Sequence, residues 1–251
     1  MSRFFIQCAY NGTAYHGWQS QHNAISVQSV IEKALSTLLK ETITIIGAGR
    51  TDTGVHALEY FAHFDTELNF DSEHLVFKLN SFLSDDIAIK KIFQVTDDAH
   101  ARFSAISRTY CYHVLRNKNP FLFDTSFYVY GHLNIEAMNK AAAILMNYKD
   151  FTSFSKTDTD TKTNDCTIFS AKWTEVDDLL IFEITANRFL RNMVRAIVGT
   201  LLEVGMGKKN PEDIEKIILS KNRSEAGYSV PAKGLFLRKI DYSIQVHKST
   251  K

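Results

Sequence analysis

The run Gly47-Ala48-Gly49-Arg50-Thr51-Asp52-Thr53-Gly54-Val55-His56-Ala57 holds the side chains best suited to chemistry in this sequence. Three glycines punctuate a run that also holds an arginine, an aspartate and a histidine. Glycine permits positive φ and close backbone approach, so such a run makes a tight loop. A carboxylate held there, Asp52, can serve as a nucleophile or a base. Arg50 precedes it by two residues, and in extended backbone the two side chains share one side. A guanidinium in that place can hold a phosphate. The loop also has a purely structural reading, a tight turn in which Asp52 binds backbone amides. The phosphate-loop pattern GxxxxGK[ST] is absent, and no helix visibly starts at the loop. His56, with His16, His63 and His113, invites a metal, but no HxxxH or CxxC spacing supports one. His56 therefore reads as a structural hydrogen-bonder.

The elements around the loop follow from periodicity and punctuation. Phe4 to Tyr10 reads as a strand ended by Asn11-Gly12. Val27 to Lys40 reads as a helix, because Val27, Val30, Ile31, Leu35, Leu38 and Leu39 recur at helical spacing behind a Ser26 cap. Ile43 to Ile46, Leu58 to Asp65 and Ile87 to Val95 read as strands, and Ser72 to Leu83 as a helix. After about Ser104 the pattern begins again. Arg108 to Leu115 alternates as a strand, and Ile135 to Met146 is a helix. Thr167 to Glu175 and Leu179 to Ala186 form a hairpin around Asp177-Asp178. Asn187 is placed to cap a helix from Arg188 to Val204 that Gly205 closes. A short helix follows Pro211, and Leu235 to Tyr242 is a last strand. The fold class is α+β: two similarly built domains, 1–105 and 106–246, with mainly antiparallel sheets and helices on one face, and a tail at 247–251. Joined in a central sheet, they would leave an active-site cleft between them.

Composition narrows the partners. The 251 residues carry 29 Lys and Arg against 28 Asp and Glu, so a basic excess does not announce nucleic acid. The distribution is uneven. No acidic residue lies between Ala99 and Phe123, where Arg102, Arg108, Arg116 and Lys118 fall. None lies between Ile184 and Leu202, where Arg188, Arg191 and Arg195 fall. These windows suggest a locally positive face, although chance clustering on a solvated surface gives the same count. Cys8, Cys111 and Cys166 are too widely spaced for a metal knuckle or a disulfide framework. No cleavage signal and no run long enough to span a membrane is read, so the expectation is a cytoplasmic protein.

GRTDTGVHA resembles the catalytic signature of the tRNA pseudouridine synthase A family, whose essential aspartate falls at Asp52. The resemblance runs along the chain: Tyr10 to Gln21 (YNGTAYHGWQSQ), Val27-Gln28, Ala101 to Ala105 (ARFSA), Arg108 to Tyr112, Phe151 to Phe154 (FTSF), Phe189 to Arg195 (FLRNMVR) and Gly234 to Leu237. One departure is visible: many members carry an arginine just before the hairpin strand, where this chain has Asn164-Asp165-Cys166, so that RNA contact is not carried over.

The resemblance implies a pseudouridine synthase fold and a cofactor-free, metal-free isomerase. It would turn uridine into pseudouridine at positions 38, 39 and 40 in the anticodon arm of tRNA, as a homodimer. Asp52 would be the nucleophile. Attack at C1′, addition at C6 and a glycal route all remain open. Tyr110 would stack on the extruded uracil or move the C5 proton. Arg195 would hold Asp52 ionised, Leu235 would form an apolar wall, and Arg50, Arg188 and Arg191 would contact RNA. Two rival functions stand beside this one. A catalytically silent RNA-binding module would use aromatic strands such as Tyr110-Cys111-Tyr112 to stack bases, but gives no reason for an Arg-Thr-Asp loop between glycines. An Asp/His hydrolase would need a second catalytic group near Asp52, and His56 is the one candidate.

Overall fold

The computed structural model describes residues 1–156 and 162–243. Positions 244–246 and the tail expected at 247–251 lie outside the described residues. The chain divides into two compact units: Met1–Ile106 together with the segment from Leu237, and Ser107–Phe236.

The first unit is built on β1 (Ser2–Tyr10), α1 (Val27–Leu39), β2 (Ile46–Gly47), β3 (His56–Thr66), α2 (Ser72–Phe82) and β4 (Ile87–Gln94). Strand β1 lies antiparallel between β3 and β4. Helix α1 begins where Ser26 accepts from the Ser29 amide and Ser29 answers on the Ser26 amide, a reciprocal cap. It buries Val27, Ile31, Ala34 and Leu35, each larger aliphatic side chain contributing about 1.5–3 kcal/mol. It ends at Lys40, whose φ of 56° is left-handed. The strand expected over Ile43 to Ile46 shrinks to β2, which pairs with Ala62 and His63 of β3. The reason lies in α1. Ser36 Oγ and Glu32 Oε1 accept the Ile43 and Ile45 amides, and Gln28 Nε2 donates to the Ile45 carbonyl. Helix side chains thus take the groups that a strand partner would need. Helix α2 is fastened to β4 by Asn80, whose side chain accepts from the Ile89 amide at 2.7 Å and donates to the Ile89 carbonyl at 2.8 Å.

The second unit contains β5 (Ala105–Leu115), β6 (Phe127–Tyr128), α3 (Ile135–Ile144), β7 (Ile168–Val176), β8 (Leu179–Ala186), α4 (Met193–Gly205) and α5 (Asp213–Ser220). Strand β8 lies antiparallel between β5 and β7, and β6 adds a short parallel pairing to β5. The hairpin at Asp177-Asp178 turns with Asp177 at φ 52°. The helix-to-strand clamp of the first unit recurs here. Asn139 on α3 accepts from the Trp173 amide at 2.8 Å and donates to the Trp173 carbonyl at 3.2 Å. The FTSF run is core: Phe151, Ser153 and Phe154 are buried, and Ser153 Oγ donates to the Ile217 carbonyl at 2.6 Å.

One expectation fails in this unit. The helix read from Arg188 begins only at Met193, and Asn187 does not cap it. Asn187 Oδ1 instead accepts from the Thr167 and Arg188 amides, tying the end of β8 to the start of β7. Asn192 then turns the chain at φ 68°, a left-handed value that an asparagine tolerates better than most residues. The last strand, β9 (Leu235–Tyr242), takes the chain into the first unit, beside β3. There Ile240 donates its amide to Glu59, and Tyr242 packs against Phe5 and Phe61.

Candidate active site

In the first unit the loop from Gly47 to His56 lies against the segment Asn11–Gln21. Thr51 Oγ1 accepts the Trp18 amide at 3.1 Å and is 3.0 Å from the Tyr10 hydroxyl. The Tyr15 carbonyl accepts the Gly54 amide, and the Asp52 carbonyl accepts the Val55 amide. Gly17, at φ 81°, presses so closely on the loop that a Cβ there would lie 2.1 Å from the Thr51 carbonyl oxygen. Only glycine meets both requirements. Behind the loop, Trp18 stacks on Tyr60 with centroids 3.9 Å apart, and Tyr60 exchanges hydrogen bonds with the Gly49 amide and carbonyl.

His56 behaves as the sequence suggests. It is buried, and its Nδ1 accepts the Gly12 amide at 3.1 Å. An accepting Nδ1 leaves the ring proton on Nε2, so the histidine pins the opening segment to the loop. Arg50 stands exposed on the same loop, and Asp52 is half-buried. Among the described residues no group of three or more His, Cys, Asp or Glu side chains could hold a metal ion.

In the second unit, Tyr110 on β5 is half-buried and meets the edge of Phe189, with ring centroids 5.1 Å apart at 87°. Arg108 Nη1 donates to the Asn187 carbonyl at 2.9 Å, fixing the same turn. This brings Tyr110 to the turn that carries Arg188 and Arg191, of which Arg188 is half-buried and Arg191 exposed. Tyr112, two residues along, has a different fate. It is fully buried, its hydroxyl donates to the Pro231 carbonyl, and burial pushes its pKa well above the ordinary tyrosine range against the opposing charge of Arg195. The alternation of β5 did not by itself distinguish the half-buried ring from the core ring.

Arg195 sits in the first turn of α4, half-buried, with Nε donating to the Val230 carbonyl at 2.7 Å. The segment Ala226–Val230 reaches that place by crossing α4 at Gly199, where a Cβ would lie 1.8 Å from the Tyr228 carbonyl oxygen. Thr200 Oγ1 accepts the Gly227 amide at the crossing. Leu235 is buried. The stretch Asn164-Asp165-Cys166 is structural: Asn164 Nδ2 donates to Thr152, and the Cys166 amide donates to the Lys149 carbonyl. Residues that sequence reasoning passed over are Tyr10, Trp18, Thr51 and Tyr60. Tyr10, Trp18 and Thr51 stand within the quoted motifs, but nothing local joins the motifs to each other.

An aspartate loop is thus clasped by an Asn-Gly to Trp segment, in a chain of two α+β units. The family model described as "tRNA pseudouridine synthase" matches residues 7–104 and 141–243, and the chain belongs to that family. Its relatives include tRNA pseudouridine synthase A of Bacteroides thetaiotaomicron, 52% identical over 96% of this chain and 91% of the relative. The Porphyromonas gingivalis protein of the same name is 51% identical over 96% and 98%. That of Bacillus licheniformis is 41% identical over 93% and 96%.

Proposed function

We propose that this chain isomerises uridine to pseudouridine in tRNA with Asp52 as the nucleophile. The observation that carries the reading is the clasped GRTDTGVHA loop, in which the half-buried Asp52 is flanked by the Thr51 hydroxyl, held on the Trp18 amide, and by main-chain bonds at Gly54 and Val55. The reaction breaks the C1′–N1 glycosidic bond and forms a C1′–C5 bond. The C5 proton leaves and N1 gains one, so no electrons enter or depart. A carboxylate can carry the detached fragment covalently or assist elimination across the sugar. Tyr110 is assigned to the uracil ring, Arg195 to the charge of Asp52, Leu235 to the exclusion of water, and Arg50, Arg188 and Arg191 to the RNA backbone.

The finer reading includes the anticodon arm at positions 38 to 40, a homodimer and a cytoplasmic location. The first two rest on family resemblance; the last accords with three buried cysteine thiols and a tRNA substrate. Among the described residues no helix is long and apolar enough to cross a membrane.

The test is to incubate tRNA transcripts with the protein and map pseudouridine. Asp52→Asn keeps shape and removes charge, so it should fold and bind tRNA yet isomerise nothing. Activity within about tenfold of wild type would sink the assignment, because loss of a nucleophile costs far more. Sedimentation of the active protein at a monomer's mass would reject the homodimer.

A further inference from the structure

The carboxylate is one residue from a doubly tethered hydroxyl. Thr51 Oγ1 takes the Trp18 amide at 3.1 Å and pairs with the Tyr10 hydroxyl at 3.0 Å. Tyr10 is itself buried at the end of β1, with its ring beside Trp18 and Tyr60. The Thr51 carbonyl, which belongs to the peptide leading into Asp52, lies against Gly17. The peptide leaving Asp52 is fixed by its carbonyl accepting the Val55 amide at 3.2 Å. A short loop cannot supply this rigidity alone, since a run between glycines has many conformations to lose.

We infer that Thr51 is a positioning residue for Asp52. Its hydroxyl, held between Tyr10 and the Trp18 amide, sets where the carboxylate stands. The inference rests on Asp52 being the nucleophile. Thr51 needs no contact with RNA for this role. Its methyl group fills space, whereas its oxygen sets position, and the two contributions separate by substitution. Valine keeps the branched shape and removes the oxygen. Serine keeps the oxygen and removes the methyl. Tyr10→Phe removes one of the two partners and leaves the Trp18 bond in place.

The experiment is single-turnover isomerisation of one tRNA transcript at saturating enzyme, with tRNA affinity measured separately for each variant. Thr51→Val should lower the rate constant by at least about tenfold, since small misplacements of a reacting group are costly. Its tRNA affinity should stay within about twofold of wild type. Thr51→Ser should recover most of the rate, and Tyr10→Phe should fall between serine and valine. Three results would overturn the inference: a Thr51→Val rate equal to wild type, a Thr51→Ser rate as low as that of Thr51→Val, or a loss of affinity that matches the loss of rate. If Thr51→Val does not fold, Tyr10→Phe decides by the same split of rate from affinity. Asp52→Asn is run beside them. If it stays active, the catalytic reading itself fails; if it is inactive while Thr51→Val runs at the wild-type rate, only the positioning role fails.

Discussion

Acidification should weaken this protein through His63, and the size of the effect can be worked from its surroundings. The side chain lies in β3, almost wholly buried at 2% exposure. Its Nδ1 accepts the Ala101 amide at 3.2 Å, and its ring meets Phe5 and the edge of His100. Burial, and then the nearby positive charges of Arg3 and His100, push its pKa down from 6.5 to about 4, with Asp65 opposing. In the unfolded chain the same imidazole titrates near the usual histidine value, about 6.5. Between those two values the unfolded state binds the extra proton. The stability that neutral His63 confers is therefore complete above pH 6.5 and drains away as the pH falls toward 4. At pH 5 the loss is about 2 kcal/mol, approaching about 3 kcal/mol below pH 4. Against a total of roughly 5–15 kcal/mol for a folded domain, that is a measurable fraction.

The assay is urea unfolding at pH 7.5 and pH 5.0 for wild type and His63→Asn. An asparagine amide oxygen can accept the Ala101 amide but takes up no proton in this range. The variant should be weaker at pH 7.5, because it leaves part of the ring's volume empty. Its further loss on going to pH 5.0 should be smaller than wild type's by about 2 kcal/mol. Carboxylates and histidines away from this site titrate in both proteins and cancel in the comparison, whereas His100, whose charge acts on His63, contributes to the difference. Equal losses in the two proteins would refute the reasoning. Since Ala101 opens the ARFSA run and its carbonyl also accepts the Tyr242 hydroxyl, the same experiment reports how firmly that motif is anchored.

Replacing Arg188 or Arg191 by alanine should weaken tRNA binding and flatten its salt dependence by about 0.7–0.9 in the log–log slope for each phosphate that is no longer neutralised; unchanged slopes in titrations from low to moderate salt would remove both residues from the RNA face. Tyr110→Ala should abolish isomerisation, and Tyr110→Phe should be nearly as poor if the hydroxyl moves the C5 proton; a Phe variant at the wild-type single-turnover rate would reduce Tyr110 to a stacking ring. Arg195→Met should slow the same step, and Arg195→Lys should restore part of it if charge is what matters. Equal losses in those two variants would assign the role to the Val230 anchor instead.

Much of the fold can be read locally. The bounds of α1 follow from the Ser26 cap and the apolar spacing, and the β7–β8 hairpin follows from Asp177-Asp178 between alternating strands. What could not be read depended on partners distant in sequence. Ile43 to Ile45 has strand-forming residues, yet its amides and carbonyl are claimed by Glu32, Ser36 and Gln28. Arg188 to Asn192 has helical composition, yet Asn187 is drawn away to the Thr167 amide. Tyr110 and Tyr112 alternate identically in sequence, and only packing against Phe189 on one side and Pro231 on the other separates them. The candidate nucleophile was legible because its motif is distinctive. The residues that steady it were not, because their hydrogen bonds, several of them to backbone groups, join segments far apart in sequence.

That contrast explains the composition of the opening motif. YNGTAYHGWQSQ has no acidic or basic residue apart from one histidine. Its work on the loop is done by the Gly12 amide, the Tyr15 carbonyl, the close approach of Gly17 and the Trp18 amide. Side chains enter as the Tyr10 hydroxyl and the Trp18 ring, which brace the loop from behind. Arg195 is set by the same means, through the Val230 carbonyl delivered across Gly199. In both units a charged side chain takes its position from main-chain groups that a glycine lets come close. Such groups do not titrate and have few rotamers to lose, so they fix a charge without competing for it. A substitution that adds a Cβ at either glycine should therefore displace the charged group while leaving every charge in place.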